Sequence, residues 1–207
     1  PMELLVATQS DFKKTAICYF TAIQYHELTT QVAPYHHIAV LKKHPPSHVV
    51  SSQTGDPPSL GTQLFTFEET PYYVTMRDRL LIPGVQTVRI ASHFQMRVTT
   101  LEQTLLDTLH RPWSCGGPSV VFEAWERGTP IIDDARLAQY LSELPNPDLI
   151  RRVGYLLEQN GHAVADAGLK QMLLEAKRCA QAGGGGTVPL LPNTPSQTLN
   201  SKWGLYV

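Results

Sequence analysis

Apolar and polar positions change period twice along the chain, dividing it into a first helix, a group of strands and a helical half. Residues 15–28, TAICYFTAIQYHEL, place Ala16, Tyr19, Phe20, Ile23 and Leu28 at helical spacing behind Thr15, a good capping residue, and predict the first well-formed helix. From Tyr35 onward the runs are short, rich in β-branched and aromatic residues, and bounded by Pro, Gly, Asp or Ser: YHHIAVLKK, SHVVSSQ, GTQLFTFEE, PYYVTMR, QTVRIAS and HFQMRVT. They predict a sheet of about six strands. Partial alternation at positions 64–67 and 88–90 predicts one packed face and one wet face, with helices over the packed one.

Residues 98–117, VTTLEQTLLDTLHRPWSCGG, join the two halves. Thr99 or Thr100 can cap a helix, and Glu102 or Gln103 can complete a capping box. Val98, Leu101, Leu105, Leu106 and Leu109 form one stripe, expected to cover the sheet, before Arg111 and Pro112 stop the helix. Glu102 projects beside this stripe and reads as a helix-start carboxylate favoured by the dipole. Asp107 and His110 fall on the other side and read as a solvated polar pair.

The helical half follows. Pro118 opens a helix closed by Gly128, and Asp133 or Asp134 opens DDARLAQYLSEL. Asn146 caps a helix with Pro147 in its first position, a stripe of Leu149, Ile150, Val153, Leu156 and Leu157, and Asn160 with Gly161 at its end. A last helix over about 163–180 carries Ala165, Leu169, Met172, Leu173 and Ala176 on one side. Four glycines at 183–186 then interrupt the pattern, yet the tail ends in the apolar KWGLYV and is expected to return as a docked strand. The predicted fold is therefore α/β in an α+β arrangement: a mixed β-sheet packed by helices, a C-terminal helical half and a final Trp-containing strand. Its segments are 1–14, an N-terminal segment or linker; 15–182, the main domain; and 183–207, the Gly-rich connection and docking strand.

Composition adds mainly exclusions. Seventeen basic residues against 18 acidic ones give a net charge of −1, so no global field draws the chain to nucleic acid or anionic lipid. No apolar run approaches a membrane span of roughly 18 residues, and the chain reads as cytoplasmic with no membrane partner. Cys18, Cys115 and Cys179 include no CxxC pair and read as reduced thiols. His36, His37, His44 and His48 suggest a metal cluster, but Pro45 and Pro46 break any helical face between them and adjacent strand residues point oppositely, so no metal site is expected. Phosphate-loop, dinucleotide, nucleophile-elbow and zinc-protease motifs are missing, and the reading is of a protein that is not an enzyme, with no catalytic residue and no cofactor. Basic residues gather locally as Lys42 and Lys43 with His44, Arg77 with Arg79, Arg89 with Arg97, and Arg151 with Arg152. Each pair alone reads as solvated charge; two that met could hold phosphate backbone or an acidic protein face.

The order of motifs is more specific than any one of them. FTAIQYHELTTQ at 20–31, the strands, the 98–117 stretch, RRVGYLLEQNG at 151–161 and the KWGLYV ending resemble, in sequence, the antitoxin domain of the AbiEi family. The resemblance runs over about residues 15–207. It implies the antitoxin half of a type IV toxin-antitoxin, or abortive infection, pair used in phage defence, whose toxin is a nucleotidyltransferase-like protein. Family members also carry an N-terminal winged helix that represses the operon promoter. The residues ahead of Phe20 are too few for such a domain of ~60 residues, so the expected match is to the antitoxin domain, with promoter DNA a secondary partner.

On this reading the partner-binding residues are the polar members of the motifs that core packing does not require: Tyr25, His26, Arg111, Arg151 and Arg152. The alternative is a DNA-binding transcriptional regulator module, in which Arg89, Arg97, Arg151 and Arg152 form a phosphate-binding patch. A third reading is a nuclease-like enzyme with Glu102 and Asp107 as metal carboxylates.

Overall fold

The middle of the sheet is a strand that helical spacing concealed. A computed structural model describes residues 14–43, 60–91, 94–144 and 146–207; the segment 1–13, the expected strand SHVVSSQ, His44 and His48 lie outside the described residues. Thr15–Ile17 (β1) runs antiparallel to His36–Lys42 (β2) and parallel to Phe94–Thr99 (β6), so that Ile17 stands opposite both Ile38 and Val98. The first helix, Tyr19–Tyr25 (α1), consequently begins at Tyr19 with an extended Cys18 ahead of it, not at Thr15. A strand buried on both faces reads as a continuous apolar run, which periodicity cannot separate from a buried helical turn. The helix also stops before Leu28, because Glu27 turns left-handed at φ 57° and the Leu28 N–H closes back on the Ile23 carbonyl at 2.9 Å.

Three further strands, Thr62–Phe67 (β3), Thr70–Asp78 (β4) and Val85–Ala91 (β5), complete a six-stranded mixed sheet of order β3-β4-β2-β1-β6-β5. β2 and β4 are parallel, whereas β3 with β4 and β5 with β6 are antiparallel hairpins. At the centre of the sheet both faces are packed, correcting the expectation of one wet face there, while β3 and residues 89–90 of β5 are largely exposed. Ala16, Ala39 and Leu41 belong to the large core shared with the helical half, and Ile17, Ile38, Tyr72, Met96 and Val98 form a smaller core opposite. The alternation at 64–67 marks an edge strand: Leu64 and Phe67 are exposed.

The central helix, Leu101–His110 (α2), begins where the sequence placed it, with the Thr100 hydroxyl accepting from the Gln103 N–H. The reciprocal half of the capping box does not form. Gln103 instead spends its amide on the Gly84 N–H and on Asp107, while the Thr100 N–H donates to the Gly84 carbonyl. Every residue from Glu102 to Leu109 is buried. The leucine stripe joins the large core and meets the neighbouring helices, Leu105 lying against Gly128. The supposedly solvated Asp107 is enclosed as well.

Helices Pro118–Gly128 (α3), Asp134–Glu143 (α4), Pro147–Gln159 (α5) and Ala167–Gln181 (α6) make the helical half. Asp133, Asn146 and Asp166 cap α4, α5 and α6. α6 starts later than its spacing predicted because the Asp134 carboxylate binds the Ala165 N–H at 2.6 Å and holds that stretch outside the helix. The tail returns as expected. Val188–Pro189 (β7), Leu199–Asn200 (β8) and Leu205–Tyr206 (β9) form a small sheet of order β7-β9-β8. Trp203 lies in the turn before β9, not within the strand. Its ring covers Gly154 of α5 so closely that a Cβ there would stand 2.2 Å from it. No helix among the described residues is long and apolar enough to cross a membrane.

Candidate functional site

The basic motif RRVGYLLE splits into two structural roles. Arg151 is buried, at 3% exposure, and is not available to a partner. Its guanidinium donates to the Gly186 carbonyl at 2.8 Å and to the Gly185 and Gly204 carbonyls at 3.5 Å, and pairs with Asp148 at 2.5 Å. The planar fork of arginine suits this task, since one side chain satisfies several carbonyls that a glycine run leaves without partners. Arg152 is half-buried, and its Nε and Nη1 donate to the Pro189 and Leu109 carbonyls, tying the C-terminal sheet to the end of α2.

The other expected contact residues lie in separate places. Tyr25 and His26 end α1, ring edge to ring face at 4.9 Å, and the His26 Nε2 sits 2.7 Å from the Thr99 carbonyl. Burial pushes the His26 imidazole below its ordinary pKa, the Thr99 carbonyl and Glu102 opposing it. Arg111 follows α2, half-buried. Arg89 and Arg97 share one face of the β5–β6 hairpin, because Thr87 pairs with Arg97 and Arg89 with Gln95. Arg79, carried across from β4, approaches Arg97 closely enough to join burial in lowering its pKa. Arg97 thus has Arg79 beside it and Arg89 on its own hairpin face, while Arg151 and Arg152 lie on α5 with Arg151 enclosed.

Arg77 and Asp107 behave differently from their sequence reading. Arg77 does not join Arg79 as surface charge; it is buried, donating from Nη1 to the Tyr19 hydroxyl and from Nη2 to the Asp107 Oδ1 at 3.5 Å. Tyr19 reaches it from a left-handed backbone at φ 54°, a costly conformation for an aromatic residue. Gln103 also donates to the Asp107 Oδ1, at 3.0 Å, and the Asp107 Oδ2 has no hydrogen-bond partner among the described residues. Burial pushes the Asp107 carboxyl above its ordinary pKa, with the Arg77 guanidinium opposing the shift.

These groups line a cleft of about 380 Å³ between the end of β4, α2 and the start of α5. Leu81, Leu106, Leu109, Leu144 and Leu149 make its apolar walls. Gln103, His110, Asn146 and Arg152 join Arg77 and Asp107 as its polar members. Part of the His110 side chain meets solvent, yet burial in the wall and the charges of Arg77, Arg111 and Arg152 push its imidazole down to about 3. It is neutral at physiological pH.

Glu102 does not converge with Asp107. Its carboxylate accepts from the Asp133 N–H at 3.1 Å and pairs with Arg136 at 3.3 Å, so it organises the start of α4 rather than its own helix end. Among the described residues no group of three or more His, Cys, Asp or Glu side chains is placed to hold a metal ion.

The fold has a counterpart among solved proteins. The crystal structure of the RV2827C protein from Mycobacterium tuberculosis superposes with a TM-score of 0.56 at 14% identity, covering 99% of this chain. That likeness is one of fold. The chain spans 66% of the length of that protein, just under two thirds. No family model matches the sequence, and no curated protein matches it.

Sequence reasoning passed over the cleft because its parts are distant in the chain and each has an ordinary local explanation. The available signal was the row Gln103, Asp107, His110 on α2: polar residues opposite a leucine stripe, on a helix that had to be enclosed by a sheet before it and helices after it.

Proposed function

We propose that this chain is the antitoxin module of a type IV toxin-antitoxin pair, acting in the cytoplasm by neutralising a nucleotidyltransferase-like toxin without bond chemistry of its own. The observation that carries the proposal is the order of the five motifs, which resemble those of AbiEi antitoxins. The way those motifs interlock supports it. RRVGYLLEQNG and KWGLYV are apart in sequence, yet Gly154 of one receives Trp203 of the other, and Arg151 of one holds the Gly204 carbonyl of the other. Motifs that depend on each other through space travel together in one fold, which makes their joint occurrence more specific than their separate composition.

Tyr25, His26, Arg111 and the accessible part of Arg152 remain the candidate toxin contacts. Coexpression with the toxin gene adjoining this one tests the proposal: growth should be restored, and unrelieved growth arrest at matched expression would remove it.

A second reading, as a DNA-binding regulator module, is favoured by one observation: Arg79 beside Arg97, with Arg89 on the same hairpin face, forms a local cationic surface on a chain of net charge −1. A mobility-shift titration against the gene's own promoter should then show binding that weakens steeply with salt. Absence of a shift even at low salt would eliminate it.

A further inference from the structure

We propose that the cleft between β4, α2 and α5 binds a small molecule with an N–H donor at one end, an acidic group at the other and an apolar body between them. This goes beyond toxin neutralisation and does not depend on it.

The donor end is specified by Asp107. Its Oδ1 already accepts from Arg77 and Gln103, and its Oδ2 is buried, 1% exposure for the residue, without a donor among the described residues. A buried carboxylate oxygen left unpaired is costly, and an entering N–H removes that cost while gaining a charge-assisted bond. A ligand offering only acceptors at this end would meet a carboxylate and be repelled.

The acidic end is specified by the charge balance. Arg77 and Asp107 offset one another, and His110 is neutral, which leaves the Arg152 guanidinium as the net charge of the lining. Two of the three Arg152 nitrogens hold backbone carbonyls, which fixes the side chain, and among the described residues Nη2 has no acceptor, so it can serve a ligand. Asn146 adds an amide at the rim: its Oδ1 caps α5, accepting from the Asp148 and Leu149 N–H groups, and its Nδ2 has no acceptor among the described residues and can donate. The leucine walls between these ends receive an apolar body.

The volume and the two-ended polarity suit an ω-amino acid with an apolar spacer or a purine nucleoside monophosphate. In both an N–H group and an acid lie at opposite ends, with apolar chain or ring faces between them. The cleft is of ordinary size for such ligands.

Isothermal titration of the full chain with 6-aminohexanoate and 4-(aminomethyl)benzoate in one arm, and with AMP and GMP in the other, tests the proposal and separates the two sources. Saturable binding is expected in one arm. Asp107→Asn places an N–H where the carboxylate oxygen stood and should weaken that binding by about tenfold to a hundredfold. Leu81→Trp, at an exposed wall position, should block it sterically without touching the core. Arg152→Gln should weaken binding of the acid. Thermal melts accompany each variant, and if Asp107→Asn fails to fold, the Leu81 and Arg152 variants decide the matter. Failure of both arms to bind the wild-type chain overturns the proposal, as does binding that neither Leu81→Trp nor Arg152→Gln alters. Growth rescue by coexpression is a separate readout, so the antitoxin reading can fail while this site stands, or the reverse.

Discussion

Replacing Gly154 with alanine is expected to destabilise the protein even though alanine is the better helix former. In α5 the exchange should gain about 1 kcal/mol of helix propensity. Against that, the new Cβ would stand 2.2, 2.5 and 2.9 Å from three carbons of the Trp203 ring. Ordinary contact requires roughly 3.4–4 Å between carbons, so the ring must retreat by more than ~1 Å. α5 has little room to yield, being capped by Asn146 at one end and closed by Asn160 at the other. Trp203 is only 4% exposed, and its indole N–H donates to Glu158 at 3.2 Å. Overpacking of this kind costs about 1–3 kcal/mol, and full displacement of a tryptophan about 3–5 kcal/mol. The net expectation is a loss of roughly 1–3 kcal/mol, read as a lower midpoint in urea denaturation. A double-mutant cycle sharpens the test: with Trp203→Ala already present, Gly154→Ala should become neutral or stabilising. A Gly154→Ala protein as stable as the parent, or the same loss with and without Trp203, would refute the reasoning.

Three other perturbations follow from the same geometry. Arg151→Met should leave the Gly186 and Gly204 carbonyls without their donor, cost about 2–3 kcal/mol, and open residues 183–186 to limited proteolysis; an unchanged cleavage pattern would count against the clamp. Burial lowers the His37 pKa from 6.5 to about 4, so the unfolded chain takes up that proton first; stability is complete above pH 6.5 and falls by about 3 kcal/mol on acidification to pH 4. His37→Gln, which can still donate to the Leu60 carbonyl, should flatten that slope in pH-dependent melts, and an unaltered slope would assign it elsewhere. Glu68 and Glu69 close the β3–β4 hairpin with φ 46° and 63°, so Glu68→Asn with Glu69→Gly should raise stability by about 1 kcal/mol; no gain in the thermal midpoint would show that the turn is not strained.

Legibility in the sequence followed the range of the interactions involved. α4, α5 and the start of α2 were readable because their caps lie within a few residues of the groups they satisfy: Thr100 for Gln103, Asp133 for Arg136, Asn146 for Asp148 and Leu149. The five described strand runs were readable from β-branched and aromatic content. β1 was not, since three buried residues at the sheet centre carry neither alternation nor turn signals. Arg151 looked like surface charge because its acceptors are carbonyls of a distant glycine run, and backbone acceptors leave no residue-type signature. Asp107 was misread for the opposite reason: its neighbours along α2 gave a sufficient exposed explanation, and only Arg77, brought over from β4, makes it an interior group. The tail was readable because KWGLYV is too apolar to leave in water, whereas the place it docks depended on the absence of one side chain at position 154.

The position of β1 sets a constraint on how the chain acquires its structure during synthesis. Ile17 is partnered by Ile38 on one side but by Val98 on the other, and that second neighbour is made much later. A nascent chain therefore holds a short strand, wholly buried in the finished fold, that has half its sheet environment until β6 leaves the ribosome. Pairings between distant segments are slow to form, and an unfilled sheet edge invites foreign strands in the interval. The protein should accordingly be more exposed to aggregation while being translated than after release, and slowed translation between β2 and β6 should lower its soluble yield without changing the stability of the molecules that do fold.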